Sequence, residues 1–378
     1  MCSISGICDF KKKPNTKVVE LMTASVSHRG PDDRGFFHNE NISFGHNRLS
    51  IIDLEKSQQP MKDTHNDNTI IFNGEIYNFK HLKKQLESLG HSFSTSGDTE
   101  VILKSYSQWG VECLEKLEGM FAFSIWDNKK KQLFLARDKF GEKPLFYFFS
   151  NEYGFIFSSE IKSFLKIDDI KNKLNLNLNS INEYLSLNYL TNHKTFLEGV
   201  KSLKPASYII IDEKNFKEDV KIRKYWSLED YFLKKTNDSF KQASEKINFL
   251  IKESVKQKMF SDVDNGVFLS GGIDSSTISL KLKEIDNHLM SAHNVTFKEE
   301  KFDESADAKI VAQYLGIDLN HYLIPNGKEL VSEFPKIIEA MDQPMSDTSF
   351  LSTYYLSKFS KKSSKVVLSG DGADEIFG

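Results

Sequence analysis

The chain has 378 residues, of which 39% are hydrophobic and 27% are charged, and its formal net charge is −3. Because a typical domain has about 150 residues, this length predicts two domains. The balance of 50 basic and 53 acidic residues gives no electrostatic basis for binding nucleic acid or an anionic membrane, so neither is expected as a partner.

The chain opens with MCSISGI, which places a thiol directly after the initiator methionine. Removal of Met1 would give Cys2 both a thiol and a free α-amine. An α-amine titrates near ~8, so it can take the thiol proton and serve as the base in a nucleophile–base pair within one residue. The alternative is an ordinary surface or strand cysteine.

The amino-terminal apolar stretch is too short for a signal peptide, and no run approaches the ~18 apolar residues of a membrane span. The three cysteines (Cys2, Cys8 and Cys113) form neither a disulfide framework nor a CxxC metal pattern. Cys8 and Cys113 lie in strand-like and helix-like runs and are expected in the core. We therefore expect a cytoplasmic protein.

The first half of the chain is predicted to be rich in strands. Apolar and aromatic patterns predict strands at 69–78, 120–127, 132–138, 144–150 and 155–157, and helices at 79–89 and 99–109. Strands grouped with a few helices are typical of an α+β fold of layered antiparallel sheets covered by helices. We assign this domain to residues 2–210.

Beyond a connector at residues 211–242, strands and helices alternate. Strands are predicted at 266–272, 291–297, 318–325 and 365–370, and helices at 274–285, 303–316, 330–341 and 350–359. This alternation predicts an α/β domain with a doubly wound parallel sheet at residues 243–378. Such sheets bind ligands beyond the carboxyl ends of their strands.

The segment SGGIDSS (270–276) lies between the first strand of that sheet and the next helix. Gly271 and Gly272 allow a ligand to approach the backbone, and Ser275 and Ser276 add hydroxyl donors at the helix amino terminus. The segment matches neither a Walker P-loop nor a dinucleotide fingerprint. It resembles the pyrophosphate-binding loop of the ATP pyrophosphatases, which split ATP into AMP and pyrophosphate. The alternative is a plain glycine turn that caps a helix.

A second loop, LSGDGADEIFG (368–378), follows the last predicted strand. It brings Asp371, Asp374 and Glu375 to the expected phosphate site. Carboxylates directed at a polyphosphate indicate Mg²⁺ between them, with Asp274 of the first loop as a further ligand. The alternative is an acidic loop that is only solvated.

Nine motifs in this order resemble the glutamine-hydrolysing asparagine synthetases. They are MCSISGI, HRGPDD (28–33), RLSIIDL (48–54), FNGEIYN (72–78), SGDTEV (96–101), LEGMFAFSIWD (117–127), RDKFGEKPLFY (137–147), LSGGIDSS and LSGDGADEIFG. The resemblance implies a glutaminase domain of the N-terminal-nucleophile hydrolase type joined to an ATP-dependent synthetase domain. It implies that ammonia released from glutamine reaches an aspartate activated by ATP as β-aspartyl-AMP.

The resemblance also implies roles for single residues. Cys2 would be the nucleophile, Asn73 and Gly74 the oxyanion hole, and Arg48 and Asp98 the partners of the glutamine α-carboxylate and α-ammonium, respectively. The full set implied for glutamine binding is Arg48, Leu49, Ser50, Ile51, Ile52, Asn73, Gly74, Glu75 and Asp98.

In the second domain the resemblance implies a site for ATP and Mg²⁺. The residues implied for ATP are Leu269, Ser270, Gly271, Gly272, Asp274, Ser275, Ser276, Val295, Ser369 and Gly370. Asp274 and Asp374 would hold Mg²⁺, and Asp371 occupies the acidic position linked to formation of β-aspartyl-AMP. The implied small-molecule partners are glutamine, aspartate and ATP, and a homodimer is left open.

The sequence departs from the family pattern in three places. Ser3 stands where the family usually has glycine, Asp371 stands where many members have glutamate, and members run well past Gly378. We therefore expect a fragment whose synthetase domain is incomplete. Two alternatives stay open: an amidotransferase that acts on another carboxylate such as a sugar acid, and a truncated remnant with only glutaminase or binding activity.

Overall fold

The computed structural model describes residues 1–63, 65–191, 193–217, 220–286, 291–298 and 303–377. The chain divides into two compact units, Met1–Lys234 and Lys235–Gly378, each described by itself below. The point of division falls inside the predicted connector at 211–242. Gly378, the last residue of the predicted acidic loop, lies outside the described residues.

The first unit contains two six-stranded sheets, in the orders β10-β8-β9-β1-β3-β2 and β12-β11-β7-β6-β5-β4. Every named strand pair in them is antiparallel. The strands are β1 (Ser3–Cys8), β2 (Asp33–His38), β3 (Ile42–Arg48), β4 (Met61–Asp63), β5 (Asn68–Ile76), β6 (Gly119–Asp127), β7 (Gln132–Arg137), β8 (Phe146–Ser150), β9 (Gly154–Ser158), β10 (Lys201–Ser202), β11 (Ser207–Asp212) and β12 (Ile222–Lys224). Because β12 pairs with β11, this unit extends past residue 210.

Helices cover the outer faces of the two sheets. The helices of this unit are α1 (Thr16–Ser25), α2 (Phe79–Ser88), α3 (Asp98–Trp109), α4 (Cys113–Lys116), α5 (Asp168–Lys171), α6 (Leu178–Leu187) and α7 (Glu229–Phe232). Val19 and Met22 of α1 pack with Ile7 of β1, and α3 contacts β4 and β5. Phe44 and Trp126, from different sheets, share the core between them. The predicted antiparallel layers covered by helices are confirmed.

The second unit is built on a four-stranded parallel sheet in the order β15-β14-β13-β16. Its strands are β13 (Asn265–Phe268), β14 (Ser291–Thr296), β15 (Leu319–Leu323) and β16 (Val366–Leu368), and its helices are α8 (Phe240–Lys258), α9 (Ile273–Ile285), α10 (Ser305–Leu315), α11 (Gly327–Ala340), α12 (Phe350–Ser360) and α13 (Asp374–Phe377). Ala292 and Val295, which point to opposite faces of β14, pack in separate cores. Helices on both faces confirm the doubly wound fold.

Strand pairing in the first unit places the amino terminus near the ends of β1 and β3, close to where the two sheets meet. Ser3 of β1 pairs with Asn47 of β3, so Cys2 lies beside the carboxyl end of β3. His46 of the same strand donates from Nε2 to the carbonyl oxygen of Phe72 in β5, across a distance of 3.0 Å. Burial lowers the pKa of His46 to about 4, so the ring is neutral at pH 7. This bond joins the sheet that carries Cys2 to the sheet that carries Asn73.

No helix among the described residues is both long enough and apolar enough to cross a membrane.

Candidate active site

Cys2 lies immediately before β1 and is held by the residue that follows β3. The Leu49 N–H donates to Cys2 Sγ over 3.3 Å, and the thiol lies 3.6 Å from the Leu49 carbonyl oxygen. Burial raises the pKa of the Cys2 thiol, although the hydrogen bond from Leu49 lowers it. A thiol with a raised pKa is a poor nucleophile at pH 7 unless a base takes its proton. The position therefore calls for a base.

Arg29 anchors this end of the chain. Its Nε donates to the Cys2 carbonyl over 3.0 Å, and its Nη1 donates to Glu160 over 2.9 Å. Burial would raise the pKa of Glu160, but hydrogen bonds from His28 and Arg29 lower it to about 2. Glu160 therefore stays ionised at pH 7 and holds Arg29 against the backbone of Cys2. A residue at a chain terminus is thus fixed rather than frayed.

Asn73 and Gly74 lie in the middle of β5, opposite Ala122 and Phe121 of β6, so they do not form a hairpin turn. The side-chain amide of Asn73 is buried, and neither its oxygen nor its nitrogen has a hydrogen-bond partner among the described residues. An unpaired buried amide costs about 1–3 kcal/mol, so it calls for an explanation. Because both amide atoms are unpaired, exchanging them by a flip would not change this observation.

Gly74 permits the close approach of two strands at this point. A Cβ atom at this position would lie 2.1 Å from the carbonyl oxygen of Met120 and 2.7 Å from the Cα atom of Phe121, both of which are backbone atoms. Backbone cannot move aside as a flexible side chain can, so a side chain here would displace β5 from β6. The glycine therefore keeps Asn73 in its place beside the cavity.

Arg48, the last residue of β3, is buried rather than engaged in a surface ion pair. Its guanidinium donates to the carbonyl oxygens of Ile52, Asp53 and Leu54 at 3.3, 2.7 and 3.0 Å, respectively. These bonds fold the segment after β3 around the guanidinium and fix its orientation. An oriented guanidinium can bind a carboxylate with its remaining N–H groups.

Asp98 is the first residue of α3, and its carboxylate accepts the N–H of Ile76 at the end of β5 over 3.0 Å. Burial raises the pKa of Asp98, and hydrogen bonds and the charge of Arg48 act in the opposite direction. The net result is a pKa of about 6. A buried carboxylate that is this costly to ionise is suited to pairing with a cationic ligand. Glu75 of β5 is also buried and lies on the same cavity.

One cavity brings together most of the residues predicted to bind glutamine. Those on its wall are Cys2, Arg48, Leu49, Ile51, Ile52, Asn73, Gly74, Glu75 and Asp98. Ser50 is not on the wall, and its N–H donates to Asp32 over 2.8 Å. The other residues on the wall were not predicted, and they are Met1, Ser57, Gln59, Phe72, Thr99, Met120 and Lys143. Lys143 could have been found, because it lies in the motif RDKFGEKPLFY.

Ser3, the departure from the family pattern, is buried away from this cavity. Its hydroxyl accepts a hydrogen bond from Asn47 Nδ2 over 2.9 Å, and Asn47 also donates to the Thr23 carbonyl. The hydroxyl is therefore satisfied inside the sheet, and Ser3 is not on the cavity wall.

In the second unit the two predicted loops follow neighbouring strands, β13 and β16. From β13 the chain adds β14 and β15 on one side of the sheet and then returns to add β16 on the other side. The strand order therefore reverses between β13 and β16, and ligands of such sheets bind at this topological switch point. A Cβ atom at Gly370 would lie 2.8 Å from the Cβ atom of Asp274 and 2.9 Å from the backbone nitrogen of Ser275. The loop after β16 therefore touches the first turn of α9.

The serines of the first loop are tied to one another. Ser275 Oγ lies 3.0 Å from Ser270 Oγ and accepts the Ser270 N–H over 3.2 Å, while Gly272 N–H donates to Ser270 Oγ over 3.2 Å. The Ser276 hydroxyl is buried without a partner among the described residues. These bonds give the loop a fixed shape at the amino terminus of α9.

The two glycines of this loop have different roles. A Cβ atom at Gly271, whose φ is +92°, would lie 2.6 Å from Asp307 Cβ and 2.7 Å from Ala308 N, so this glycine permits packing against α10. A Cβ at Gly272 would meet only Ser270 Oγ, at 3.3 Å. The space beside Gly272 is compatible with the approach of a ligand, and at Gly271 the contact with α10 is an additional reason for a glycine. Ligand binding by both glycines stays a prediction.

The predicted adenosine residues lie at the carboxyl ends of β13, β14 and β16. Leu269 is buried in one core, and its carbonyl accepts Asn294 Nδ2 over 2.9 Å. Val295 in β14 packs against the other core. Ser369 donates to Asp371 over 3.0 Å, which orders the start of the acidic loop.

Among the described residues, no group of three or more His, Cys, Asp or Glu side chains could hold a metal ion by itself. Mg²⁺ is commonly bound by one or two carboxylates together with the phosphates of a nucleotide. Asp274 and Asp374, which lie in the first turns of α9 and α13, are of this type. The donor set therefore fits a metal that arrives with a polyphosphate.

Two domain models match the chain, one over each unit. Residues 1–226 match the model of the glutamine amidotransferase domain, and residues 246–378 match the asparagine synthase model. The Methanocaldococcus jannaschii protein named "Putative asparagine synthetase [glutamine-hydrolyzing] 2" is 37% identical over 400 residues, covering 100% of this chain and 75% of that protein. Glutamine-hydrolysing asparagine synthetase 1 of Bacillus subtilis is 36% identical over 392 residues, covering 100% and 58%.

The family also includes relatives with other names. Amidase chry2 of Gibberella zeae is 32% identical over 385 residues, covering 96% of this chain and 55% of that protein. The chain spans 58% of the length of the Bacillus subtilis relative. Both domain models and the full-length similarity to named members show that the chain belongs to the glutamine-dependent asparagine synthetase family.

Proposed function

We propose that this chain hydrolyses glutamine at Cys2 and directs the ammonia to an aspartate that the second unit activates with ATP. The observation that carries the first half is the cavity in which the Cys2 thiol, the unpaired Asn73 amide, Arg48 and Asp98 meet. A nucleophile, an oxyanion donor, a cation and an anion are the groups that hydrolysis of an amino-acid amide requires.

Glutamine would bind with its α-carboxylate on Arg48 and its α-ammonium on Asp98. The thiol proton of Cys2 passes to the α-amine of the mature chain as sulfur attacks the side-chain amide carbon. The oxyanion accepts hydrogen bonds from Asn73 and from the Gly74 N–H. The amine returns the proton to the leaving nitrogen, which departs as ammonia. Water then hydrolyses the γ-glutamyl thioester, which yields glutamate and restores the thiol.

In the second unit the loop Ser270–Ser276 would hold the pyrophosphate part of ATP, with Leu269, Val295, Ser369 and Gly370 near the adenosine. Asp274 and Asp374 would hold Mg²⁺, which neutralises phosphate charge when it is bound. The aspartate carboxylate attacks the α-phosphate to form β-aspartyl-AMP and release pyrophosphate. Ammonia then displaces AMP, which gives asparagine. Asp371 lies beside this loop and would act in the activation step.

A second candidate is an amidotransferase with a different acceptor carboxylate. The relative named as an amidase supports it, because that protein is similar over 96% of this chain yet carries a different name. The glutamine chemistry would be the same in both cases. The two candidates therefore differ only in the acceptor.

The test is a product assay with the purified protein, glutamine, Mg²⁺-ATP and either aspartate or a panel of other carboxylates, including a sugar acid. We expect glutamate from glutamine, and each asparagine formed in the presence of aspartate should be matched by one AMP and one pyrophosphate. AMP formation with another carboxylate alone would identify the second candidate. Intact-mass analysis is expected to show loss of Met1, and active protein that retains Met1 would contradict the role of the amine.

The binding of glutamine is expected to weaken in acid through Asp98. Its pKa is raised to about 6 without ligand, so below pH 6 the carboxyl is protonated and must lose a proton before it pairs with the α-ammonium. The KM for glutamine should therefore rise up to about tenfold for each pH unit below 6, while kcat at saturation changes less. Steady-state kinetics between pH 5 and 8 would measure this.

Asp98→Asn removes the titrating group. We expect a KM that is high, by about 10- to 100-fold for the loss of a charged hydrogen bond, and independent of pH in this range. Asp127→Asn is the matched control, since Asp127 is a buried carboxylate away from the cavity wall. It should keep the normal rise in KM. A KM that still rises in acid in Asp98→Asn would contradict the assignment.

A further inference from the structure

The loop between β7 and β8 carries the motif RDKFGEKPLFY, to which the mechanism above gives no role. Asp138 fixes this loop, because its carboxylate accepts four backbone N–H groups at 3.0 to 3.1 Å, those of Phe121, Phe140, Glu142 and Lys143. Arg137 donates to the carbonyl oxygens of Lys143 and Gly141 at 2.7 and 2.6 Å, respectively. A loop held by both charged side chains can place a later residue accurately.

The residue that this loop presents is Lys143. Its side chain is buried, with 5% of the residue exposed, and it lies on the wall of the cavity that contains Cys2. Its Nζ lies 3.1 Å from Met1 Sδ. Among the described residues, no carboxylate oxygen lies within 4.0 Å of this Nζ in an ion pair. Burying an ammonium without a close carboxylate is costly, so a compensating role is expected.

Met1 is the residue that this ammonium contacts, through the sulfur atom of its side chain. Burial lowers the pKa of the Met1 amino group to about 5, and the charges of Arg29 and Lys143 lower it further while the Cys2 thiol and Asp32 act in the opposite direction. The other charged groups around Lys143 are Arg29, Glu75, Glu142 and Asp138, and those around the thiol are Arg48 and Asp98. Loss of Met1 would remove the sulfur contact and make Cys2 the new terminus. Arg29 binds the carbonyl of Cys2, and Lys143 lies on the same cavity wall as Cys2.

We propose that Lys143 is a positioning residue whose buried ammonium keeps the α-amine of Cys2 uncharged, so that the amine can accept the thiol proton. The inference rests on the proposed glutaminase function. A third positive charge, on an amine near Lys143 and Arg29, is disfavoured by like-charge repulsion in a poorly solvated site. In the step concerned, the S–H bond breaks, its proton moves to the amine nitrogen, and sulfur bonds to the amide carbon. A protonated amine cannot take that proton.

The test is the pH profile of kcat at saturating glutamine, where bound substrate keeps Asp98 ionised. Lys143→Met, which keeps the length and removes the charge, should move the acid limb of the profile up by about one pH unit. The rate at the foot of that limb should fall about tenfold, and the rate on the alkaline plateau should stay within about twofold. Lys143→Arg, which restores the charge, should restore the profile.

Lys139→Met is the matched control, because it removes the same charge from the same loop at a residue that contacts the Trp226 ring instead of the cavity. It should leave the acid limb where it is. An unshifted limb in Lys143→Met, or an equal shift in Lys139→Met, would overturn the proposal. An equal shift in Lys139→Met would mean that the net charge of the protein, and not Lys143, sets the pH dependence of kcat.

Titration of the amine itself keeps the inference testable without glutaminase activity. In a Cys2→Ser chain that has lost Met1, acetylation by acetic anhydride across a pH series gives the pKa of the α-amine. We expect a value below the ordinary ~7.7, rising when Lys143→Met is added. An ordinary value in the chain that retains Lys143 overturns the inference even if the methionine variant does not fold. Absence of glutamate formation by the wild-type protein would instead refute the proposed function.

Discussion

Replacing Cys2 by alanine is expected to abolish glutamine hydrolysis, with a loss of kcat of about 10⁴-fold or more, as for other covalent nucleophiles. Among the described residues Cys2 is the one thiol on the cavity wall, since Cys8 and Cys113 are fully buried in the core. The Ser57 and Thr99 hydroxyls also line the cavity, but neither residue carries an α-amine as its base. Glutamate release from glutamine is the measurement.

The same variant should bind ATP as the wild type does, because the loops of residues 269–276 and 368–377 belong to the other unit. Cys113→Ala is the matched control for loss of a thiol, and it should retain the glutaminase rate while losing some stability. If Cys2→Ala kept more than about 1% of the rate, another nucleophile would be at work. Isothermal titration with ATP would show whether the second unit is intact.

Asn73→Ala is expected to lower kcat for glutamine hydrolysis by about 10²- to 10³-fold, as removal of one oxyanion donor does elsewhere. The amide of Asn73 has no partner among the described residues, so its removal breaks no hydrogen bond there. The melting temperature should therefore stay the same or rise, while the KM for glutamine changes little. A functional group held unpaired in the core exchanges stability for activity.

Asn68→Ala on the same strand is the control, and it should lower stability without lowering kcat. Asn68 Nδ2 donates to Ser107 Oγ over 3.2 Å, and Asn68 lies away from the cavity wall. Its loss should lower the free energy of unfolding by about 0.5–1.5 kcal/mol and leave kcat unchanged. A normal kcat in Asn73→Ala, or a marked fall in its melting temperature without loss of kcat, would show that the amide is structural.

Hydrophobic patterning predicted most elements that have a strong period. The predicted strands at 69–78 and 120–127 correspond to Asn68–Ile76 and Gly119–Asp127, and the helix at 99–109 to Asp98–Trp109. Strands β2, β3, β4, β10 and β11 and helices α1, α6 and α8 were not predicted. In α8, Val255 is buried while Phe249 and Leu250 are exposed. The apolar residues of this helix therefore do not lie on one buried face, and the helical period is hard to recognise in the sequence. The three-residue edge strand β12 is too short to give a pattern.

Patterning and motifs were sufficient to predict the two domain types. Through the family resemblance, the motifs also led to the prediction that Cys2, Arg48, Asn73 and Asp98 act at one site, since they keep these residue types at fixed places along the chain. The sequence could not assign Gln59 to the cavity, since none of the nine motifs contains this residue. Gln59 accepts the Phe72 N–H over 2.6 Å from 13 positions away, and no local pattern encodes that contact.

Tertiary structure alone decided how each group behaves. It left the Asn73 amide buried and without a partner among the described residues, raised the pKa of Asp98 to about 6, and packed Gly271 against α10. Burial and neighbouring charge depend on which distant segments fold together, and they set both the cost of ionisation and the supply of hydrogen-bond partners. A residue's type is fixed by the sequence, whereas its solvation and its charged neighbours are fixed only when the sheets and loops pack around it.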